Sequence, residues 1–402
     1  MTIELGHGEV SSVHAGRLKC FLLMIKPMSK SQLDRISFYL NSWKMSYNRP
    51  LRTVLGRETE RLAYLGWLGR KNLGDEVLFE AIDGLLEPLK LYSMERREWN
   101  PVSKLLEQFI GVRSNGGAIL GGGTILKDSY LDRFGKEEKL KAVFGSGLGI
   151  DWADFRKYRE GGGHQSLLSE KSIGSLDGLQ VGVRGPISRD LLLKMGVEHA
   201  QMIGDPALAL CDPRPVSREK RGRIGINLGC ENLDDPDIHQ RHIESVVTKF
   251  CNVQIKRSEE VVFFPMSPID EEIGLRIRDN LCSAQFTVFK DYLHTPSVMS
   301  AMKSCDGMVA QRLHAGIIAV GCGVPSLFFC YSPKCWDFLE SVHCESLGLD
   351  LEELESMDLV EKWDEMLNDR VELESEMSTS VIGLKKRLSG FSEELRKSLA
   401  IQ

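Results

Sequence analysis

Residues 306–330 have the sequence DGMVAQRLHAGIIAVGCGVPSLFFC, and this stretch decides the fold class. Its apolar runs predict a buried strand, a helix of small residues and a second strand, over Asp306–Ala310, Ala315–Val320 and Pro325–Cys330. Short apolar strands that alternate with helices are typical of an open parallel sheet. The stretch therefore predicts an α/β protein.

Three residues, Arg312, Leu313 and His314, lie at the corner between the first of these strands and the helix. Open α/β sheets bind ligands at the carboxyl ends of their strands, where a helix N-terminus also offers unpaired N–H groups to an anion. A guanidinium and an imidazole at such a corner can form an anion site. The alternative is that Arg312 is a surface charge and His314 a hydrogen-bonded core residue.

Length and composition set the broad class. At 402 residues the chain is long for a single core, which favours two domains. Its 42% hydrophobic and 27% charged residues are typical of a soluble globular protein. The formal charge of −6 disfavours nucleic-acid binding, because nucleic-acid binders usually need a basic face. Anions must therefore be held by local groups.

The ten cysteines are scattered without C-x-x-C spacing, which predicts reduced thiols in a cytoplasmic protein, with no disulfide and no zinc site. No carboxylates or histidines cluster at metal-ligand spacing either. The apolar run Cys20–Ile25 is far shorter than the ~20 residues that a membrane helix needs. We therefore expect no metal and no membrane span.

The first half of the chain alternates apolar strands with glycine-rich turns. The predicted strands are Arg61–Trp67, Leu89–Met94, Ala118–Gly121 and Lys141–Phe144. Asp75 opens a predicted helix, Asp75–Leu86, where it is either a capping acid or a site residue. The glycine-rich turns 69–74, 121–124 and 145–149, which include Gly122 and Gly123, would lie at one edge of a parallel sheet.

Two further charged residues are predicted at strand ends. Arg184 follows an apolar run in LQVGVRGPISRD, and Asp205 follows another in MIGDP. Arg184 is thus a second guanidinium at the carboxyl end of a strand. Its alternative role is an ion pair at the start of the next helix.

The segment Cys211–Arg223 carries prolines and a basic cluster and predicts a linker. Strands and helices then alternate again, over Ile224–Leu228, Ile238–Phe250, Val261–Pro265, Glu271–Leu281, Phe286–Phe289 and Thr295–Met302. Lys334 lies just past the last strand, and the charged segment beyond Asp358 has helical spacing of its apolar residues.

These patterns predict a GT-B-like fold, in which two Rossmann-like, doubly wound domains face a cleft and a C-terminal helix packs across both. The expected segments are an N-terminal extension without an assigned role, an acceptor-side domain, a donor-side domain and a helical segment. They span residues 1–59, 60–215, 216–357 and 358–402.

Five motifs, in this order, resemble those of the polysaccharide pyruvyltransferases: LGWLGRKNLGDEVL, AILGGGTIL, VGVRGPISRDLLLKMGV, MIGDPAL and QRLHAGIIAVGCGVPSLFFCYSPK. Each motif alone is common, but the five together are specific. The first departs from the family's tyrosine-glycine-x-x-asparagine-x-glycine-aspartate pattern, which Trp67 and the inserted residues 68–71 fit only loosely. Enzymes of this family move pyruvate from phosphoenolpyruvate to a sugar as a cyclic ketal.

The resemblance implies roles for particular residues. Arg184 and Arg312 would hold the phosphate and carboxylate of phosphoenolpyruvate, and His314 would protonate its methylene carbon. Further substrate-binding positions would be Asn72, Asp75, Gly122, Gly123, Asp205, Leu313 and Lys334. No cofactor or metal would be needed, because arginines and helix N-termini can take the phosphate charge. The acceptor would be a sugar or polysaccharide precursor, either free or lipid-linked.

Two other functions stay open on sequence alone. A GT-B glycosyltransferase would hold a nucleotide sugar, normally with an acidic residue shortly after the last glycine-rich turn. Residues 325–331 contain none, and the first acid after them is Asp337. An inactive binding or scaffold protein would tolerate the loss of Arg312 or His314, and both are present.

Overall fold

The computed structural model describes residues 61–93, 117–134, 139–161, 167–214, 222–229, 236–353 and 357–400. The predicted N-terminal extension 1–59 and most of the predicted linker therefore lie outside the described residues. Two parallel β-sheets follow each other along the chain.

The first sheet has seven strands: β1 Arg61–Leu65, β2 Lys90–Ser93, β3 Ala118–Leu120, β4 Gly123–Leu126, β5 Leu140–Leu148, β6 Gln180–Val183 and β7 Gln201–Met202. Their order is β2-β1-β3-β5-β6-β7, with β4 paired to β5. The connecting helices are α1 Leu73–Leu85, α2 Asp128–Leu131, α3 Trp152–Arg159, α4 Glu170–Gly174 and α5 Pro186–Lys194, and a 3-10 helix covers Pro206–Leu210.

The second sheet has six strands: β8 Arg223–Asn227, β9 Glu260–Phe263, β10 Phe286–Val288, β11 Gly307–Ala310, β12 Ser326–Cys330 and β13 Gly348–Asp350. Their order is β10-β9-β8-β11-β12-β13. The helices are α6 Pro236–Lys256, α7 Pro268–Leu281, α8 Thr295–Lys303, α9 Leu313–Gly321 and α10 Pro333–Ser341, with 3-10 turns at Glu345–Leu347 and Leu351–Glu353.

The central strands of the second sheet are buried on both faces. Every residue of β11 and of β12 is buried. Helices that cover both faces of a parallel sheet require such nearly continuous apolar strands, which explains why the stretch 306–330 lacks polar alternation. The α/β class and the strand–helix alternation after Ile224 are confirmed.

Two C-terminal helices, α11 Leu359–Asn368 and α12 Arg370–Ala400, complete the described chain. Arg370 at the start of α12 donates from Nη1 to Asp306 beside β11, over 2.7 Å. Further along α12, the ring of Phe391 packs edge-on against Phe144 of β5, with ring centroids 5.1 Å apart. The helix thus contacts both halves, as predicted. None of the helices in the described ranges combines the length and apolar character needed to cross a bilayer.

The prediction of glycine-rich loops is wrong for two segments, 121–124 and 145–149. Gly123 and Thr124 belong to β4, so only Gly121 and Gly122 separate it from β3. The segment 145–149 is not a loop, because β5 runs on to Leu148 with a register shift between Phe144 and Ser146. Gly145 lies at that irregularity with a φ of +69°, a conformation that favours glycine.

The predicted corner at residues 312–314 is also corrected. Helix α9 begins at Leu313, two residues earlier than expected, and Arg312 is the residue that precedes it. His314 therefore projects from the first turn of a helix rather than from a loop.

Candidate active site

The predicted site residues lie at the carboxyl ends of parallel strands from both halves. Arg184 follows β6, Gly122 follows β3, and Arg312 follows β11. The amide of Leu73, at the start of α1, donates to the carbonyl of Met266 over 2.8 Å and joins the two halves beside this edge. Parallel sheets place ligand sites at this edge.

Arg184 and Asp205 form a buried ion pair. Both side chains are 0% exposed, and Arg184 Nε donates to Asp205 Oδ2 over 2.9 Å. Arg184 Nη1 reaches Thr124 Oγ1 at 3.4 Å. Its Nη2 is buried and has no hydrogen-bond partner among the described residues. The guanidinium is thus held by two groups, and its Nη2 makes no hydrogen bond within the described ranges.

Asp205 also holds the local backbone, because its Oδ1 accepts from the Ala207 amide at the start of the 3-10 helix, over 2.9 Å. Burial alone would raise the pKa of Asp205, but His314, Arg184 and the Ala207 amide together lower it below its ordinary value. The carboxylate therefore stays ionised at neutral pH. It serves as the counter-charge for Arg184 and is unsuited to donating a proton.

His314 lies next to the same carboxylate. Its Nε2 is 3.7 Å from Asp205 Oδ2, is buried, and has no hydrogen-bond partner within the described ranges. On the other side of the ring, a Cβ placed on Gly74 would lie 2.4 Å from His314 Nδ1. The imidazole of the second half is thus packed against the first turn of α1 from the first half.

Asp75 lies in that first turn of α1. Burial is the largest influence on its carboxyl group and raises its pKa from 3.8 to about 6, although His314, Lys334 and Arg312 each lower it in part. The structure therefore places Asp75 near His314, Lys334 and Arg312 of the second half. A carboxyl group with a pKa of about 6 keeps part of its proton near neutral pH and can serve as an acid.

The raised pKa of Asp75 predicts how stability depends on pH. The folded protein holds this proton more tightly than the unfolded chain, so stability decreases as pH rises from about 4 to about 6. Asp75→Asn should remove this loss and raise the unfolding free energy at pH 7 by roughly 1–3 kcal/mol. Urea unfolding at pH 4 and pH 7 measures both values. If the unfolding free energy of the variant differed between pH 4 and pH 7 by as much as that of the wild type, the raised pKa of Asp75 would be contradicted.

Arg312 is held by an acid that the sequence did not point to. Its Nε and Nη2 donate to Asp270 Oδ2 and Oδ1, over 3.0 and 2.7 Å, and Nη2 also donates to Ser267 Oγ. Asp270 is fully buried at the start of α7. This fork connects the N-terminus of α9 to α7, and the role of Arg312 toward a substrate stays a prediction.

The remaining predicted binding residues have structural contacts. Asn72 caps α1, with its Oδ1 accepting from the Gly74 amide over 3.1 Å. A Cβ on Gly122 would lie 2.6 Å from Leu78 Cδ2, so a larger residue there would displace the Leu78 side chain. Leu313 is buried, and the amine of Lys334 lies 4.7 Å from the centre of the Tyr331 ring. Their contacts with a substrate stay predictions.

In the part of the chain that the structure describes, no three His, Cys, Asp or Glu side chains cluster as metal ligands. The eight cysteines in that part are free thiols, and Cys20 and Cys230 lie outside it.

A family model described as polysaccharide pyruvyl transferase matches residues 72–333. The match covers more than half of the chain and includes every candidate site residue except Lys334. The chain belongs to the polysaccharide pyruvyl transferase family. No curated protein matches this sequence.

Solved structures resemble the fold at low sequence identity. The S. aureus MnaA–UDP co-structure aligns with a TM-score of 0.50 and 13% identity, over 80% of this chain and 91% of that chain. A UDP-GlcNAc 2-epimerase from Methanocaldococcus jannaschii aligns at 0.45 and 11%, over 77% and 92%. E. coli ADP-heptose lps heptosyltransferase II aligns at 0.38 and 13%, over 77% and 99%. The first of these matches and the two parallel sheets confirm the GT-B-like, doubly wound architecture.

Proposed function

We propose that the protein transfers the pyruvyl group of phosphoenolpyruvate to two hydroxyls of a sugar in a polysaccharide or its precursor. Family membership supports the transferase class. The observation that carries the proposal is a pair of buried nitrogens, Arg184 Nη2 and His314 Nε2, that make no hydrogen bond among the described residues, although His314 Nε2 lies 3.7 Å from Asp205 Oδ2. An unsatisfied buried donor costs about 1–3 kcal/mol. An anionic ligand that accepts hydrogen bonds from both nitrogens would remove this cost.

The proposed reaction forms two C–O bonds and releases phosphate. A proton is added to the methylene carbon of phosphoenolpyruvate, so that C2 becomes electrophilic and one sugar hydroxyl adds to it. The C2–O bond to phosphate then breaks, and the second hydroxyl closes the ketal ring. Each hydroxyl loses its proton as its oxygen bonds to C2, and of these two protons one replaces the proton that the acid gave to the methylene carbon and the other leaves with the phosphate. The products are the cyclic pyruvate ketal and inorganic phosphate.

Different side chains would bind the donor and supply the proton. Arg184, already held by Asp205, presents Nη2 to an anionic group of the donor. His314 is the proposed acid, because its buried Nε2 makes no hydrogen bond among the described residues and lies 3.7 Å from Oδ2 of the ionised Asp205. If His314 does not supply the proton, Asp75 is a better candidate than Asp205. The pKa of Asp75 is raised, whereas the pKa of Asp205 is lowered.

The glycosyltransferase alternative needs an acid free to bind a ribose after the last glycine-rich turn. Asp337 does not meet this requirement, because it is buried and its two oxygens accept from the amide and the hydroxyl of Ser188. This contact favours the pyruvyl-transfer proposal.

A thermal-shift comparison tests the donor class. A ligand that binds only the folded state raises its stability by about 2.7 kcal/mol at a hundred times its Kd. Phosphoenolpyruvate should therefore raise the melting temperature progressively as its concentration increases, and UDP-sugars at the same concentrations should not. The opposite result would support the glycosyltransferase alternative and contradict the proposal.

Arg312→Lys tests whether the Asp270-bound guanidinium also contacts the donor. A lysine cannot form the planar fork, so the loss of one charge-assisted contact should weaken phosphoenolpyruvate binding by about 2 kcal/mol, or roughly thirtyfold in Kd. Titration calorimetry measures this value. Ser267→Ala, which removes one neutral partner of Arg312, is the control and should change the Kd much less. An unchanged Kd in Arg312→Lys would restrict Arg312 to joining α9 and α7.

A further inference from the structure

Helix α10 of the second half contacts the turn that carries Arg184. Asp337, on the second turn of α10, accepts from the Ser188 amide with Oδ1 over 3.1 Å and from the Ser188 hydroxyl with Oδ2 over 2.7 Å. Both residues are buried. Ser188 lies in the first turn of α5, and Gly185, the residue before this helix, provides no capping side chain. A carboxylate from the other half therefore satisfies the helix N-terminus.

The backbone of the turn is fixed by the same helix. A Cβ on Gly185 would lie 2.1 Å from the backbone oxygen of Asp337, so the two backbones are in direct contact at the residue after Arg184. No side chain other than that of glycine fits this approach. Any displacement of Asp337 would therefore be transmitted to the residue that follows Arg184.

Strand β5 supports the turn from the opposite side. The amide of Leu148 donates to Ser188 Oγ over 3.0 Å, and the amide of Arg184 donates to the carbonyl of Ser146 over 3.1 Å. The Ser188 hydroxyl thus accepts from β5 and donates to Asp337. The backbone of Arg184 is held between β5 and α10.

Asp337 remains buried although burial is unfavourable for a carboxylate. Burial raises its pKa above the ordinary value, and the two hydrogen bonds from Ser188 and the charge of Arg184 offset part of that rise. The network is satisfied only when α10 and α5 are in contact. Satisfied buried networks rigidify and specify one arrangement.

We infer that Asp337 is a positioning residue for the donor site. By holding Ser188 and Gly185, it fixes the turn between β6 and α5 so that Arg184 presents Nη2 to the anionic group of the donor. The inference rests on the proposed function, in which Arg184 binds phosphoenolpyruvate. Binding of the donor by Arg184, in the first half, would then depend on the carboxylate of Asp337 in the second half.

Asp337→Leu removes both acceptors at similar volume. The Kd of phosphoenolpyruvate, measured by titration calorimetry at a temperature where circular dichroism shows the variant folded, should rise roughly tenfold or more, because small misplacements of a binding group are costly. Asp337→Asn keeps an acceptor for the Ser188 amide and should recover most of the affinity. Ser188→Ala removes the hydroxyl alone, should weaken binding in the same direction, and serves if Asp337→Leu does not fold.

The matched control is Glu340→Gln, one turn further along α10. Glu340 also contacts the first half, but its partner there is Arg159 of α3 and not a residue of the turn that carries Arg184. This variant should bind phosphoenolpyruvate with wild-type affinity. If the wild-type protein does not bind phosphoenolpyruvate, the proposed function fails. If it binds and both Asp337→Leu and Ser188→Ala bind equally well, the inference about Asp337 is overturned.

Discussion

His314→Gln is expected to reduce turnover by roughly a hundredfold or more, the usual contribution of a positioned general acid. The fold and much of the affinity for phosphoenolpyruvate should remain, because the amide preserves size and part of the hydrogen bonding. Steady-state kinetics with an excess of both substrates measures the change.

His294→Gln provides the control for this change. His294 is an exposed histidine that contacts Ser297, and its replacement should leave turnover unchanged. Retained turnover with a raised KM in His314→Gln would make His314 a binding residue. The same kinetics on Asp75→Asn would then test the second candidate acid.

Arg184→Met is expected to abolish measurable phosphoenolpyruvate binding and to destabilise the fold. Removal of the guanidinium leaves Asp205 fully buried without its counter-charge, which typically costs about 3–5 kcal/mol. The double variant Arg184→Met with Asp205→Asn removes both charges and should recover much of the stability, while donor binding stays lost. Chemical denaturation and titration calorimetry separate the two effects.

Arg370→Met is the matched control, since Arg370 is another buried arginine and pairs with Asp306 and Glu374. It should lose stability and keep the donor affinity of the folded fraction. Wild-type affinity for phosphoenolpyruvate in the Arg184 double variant would contradict the role given to Arg184.

Local sequence was sufficient for the placement of the main polar residues. Arg184 follows an apolar run too short for anything but a strand, and the structure ends β6 at Val183. The sequence predicts Asp75 in a first helical turn, where an acid complements the helix dipole, and α1 confirms that position. Such features depend on neighbours within a few residues.

Contacts between distant residues could not be predicted from one sequence. Arg312 and Asp270 are 42 positions apart, and Ser188 and Asp337 are 149 apart. No local pattern distinguishes an acid that caps its own helix from one that binds an arginine on another element. The partner of each guanidinium therefore became visible only in the folded chain.

Two glycine-rich segments, 121–124 and 145–149, were wrongly predicted as loops for a physical reason. A glycine run after apolar residues predicts a turn, but a strand that touches another backbone closely also needs glycine. Gly145 lies in β5 where a Cβ would be 2.4 Å from Pro206 Cδ, and at Gly147 a Cβ would be 3.2 Å from Arg184 Nη1. These glycines make room for Arg184 and for the segment that carries Asp205.

The most direct test of the proposed function follows the pyruvyl carbons themselves. Purified protein is incubated with phosphoenolpyruvate labelled with carbon-13 and a panel of free and lipid-linked sugars, and the products are identified by mass spectrometry and phosphate release. We predict one labelled cyclic ketal for each phosphate released, with both formed roughly a hundredfold or more slowly in His314→Gln and at the wild-type rate in His294→Gln. Transfer of a glycosyl group from an added UDP-sugar, without incorporation of the label, would contradict the proposal.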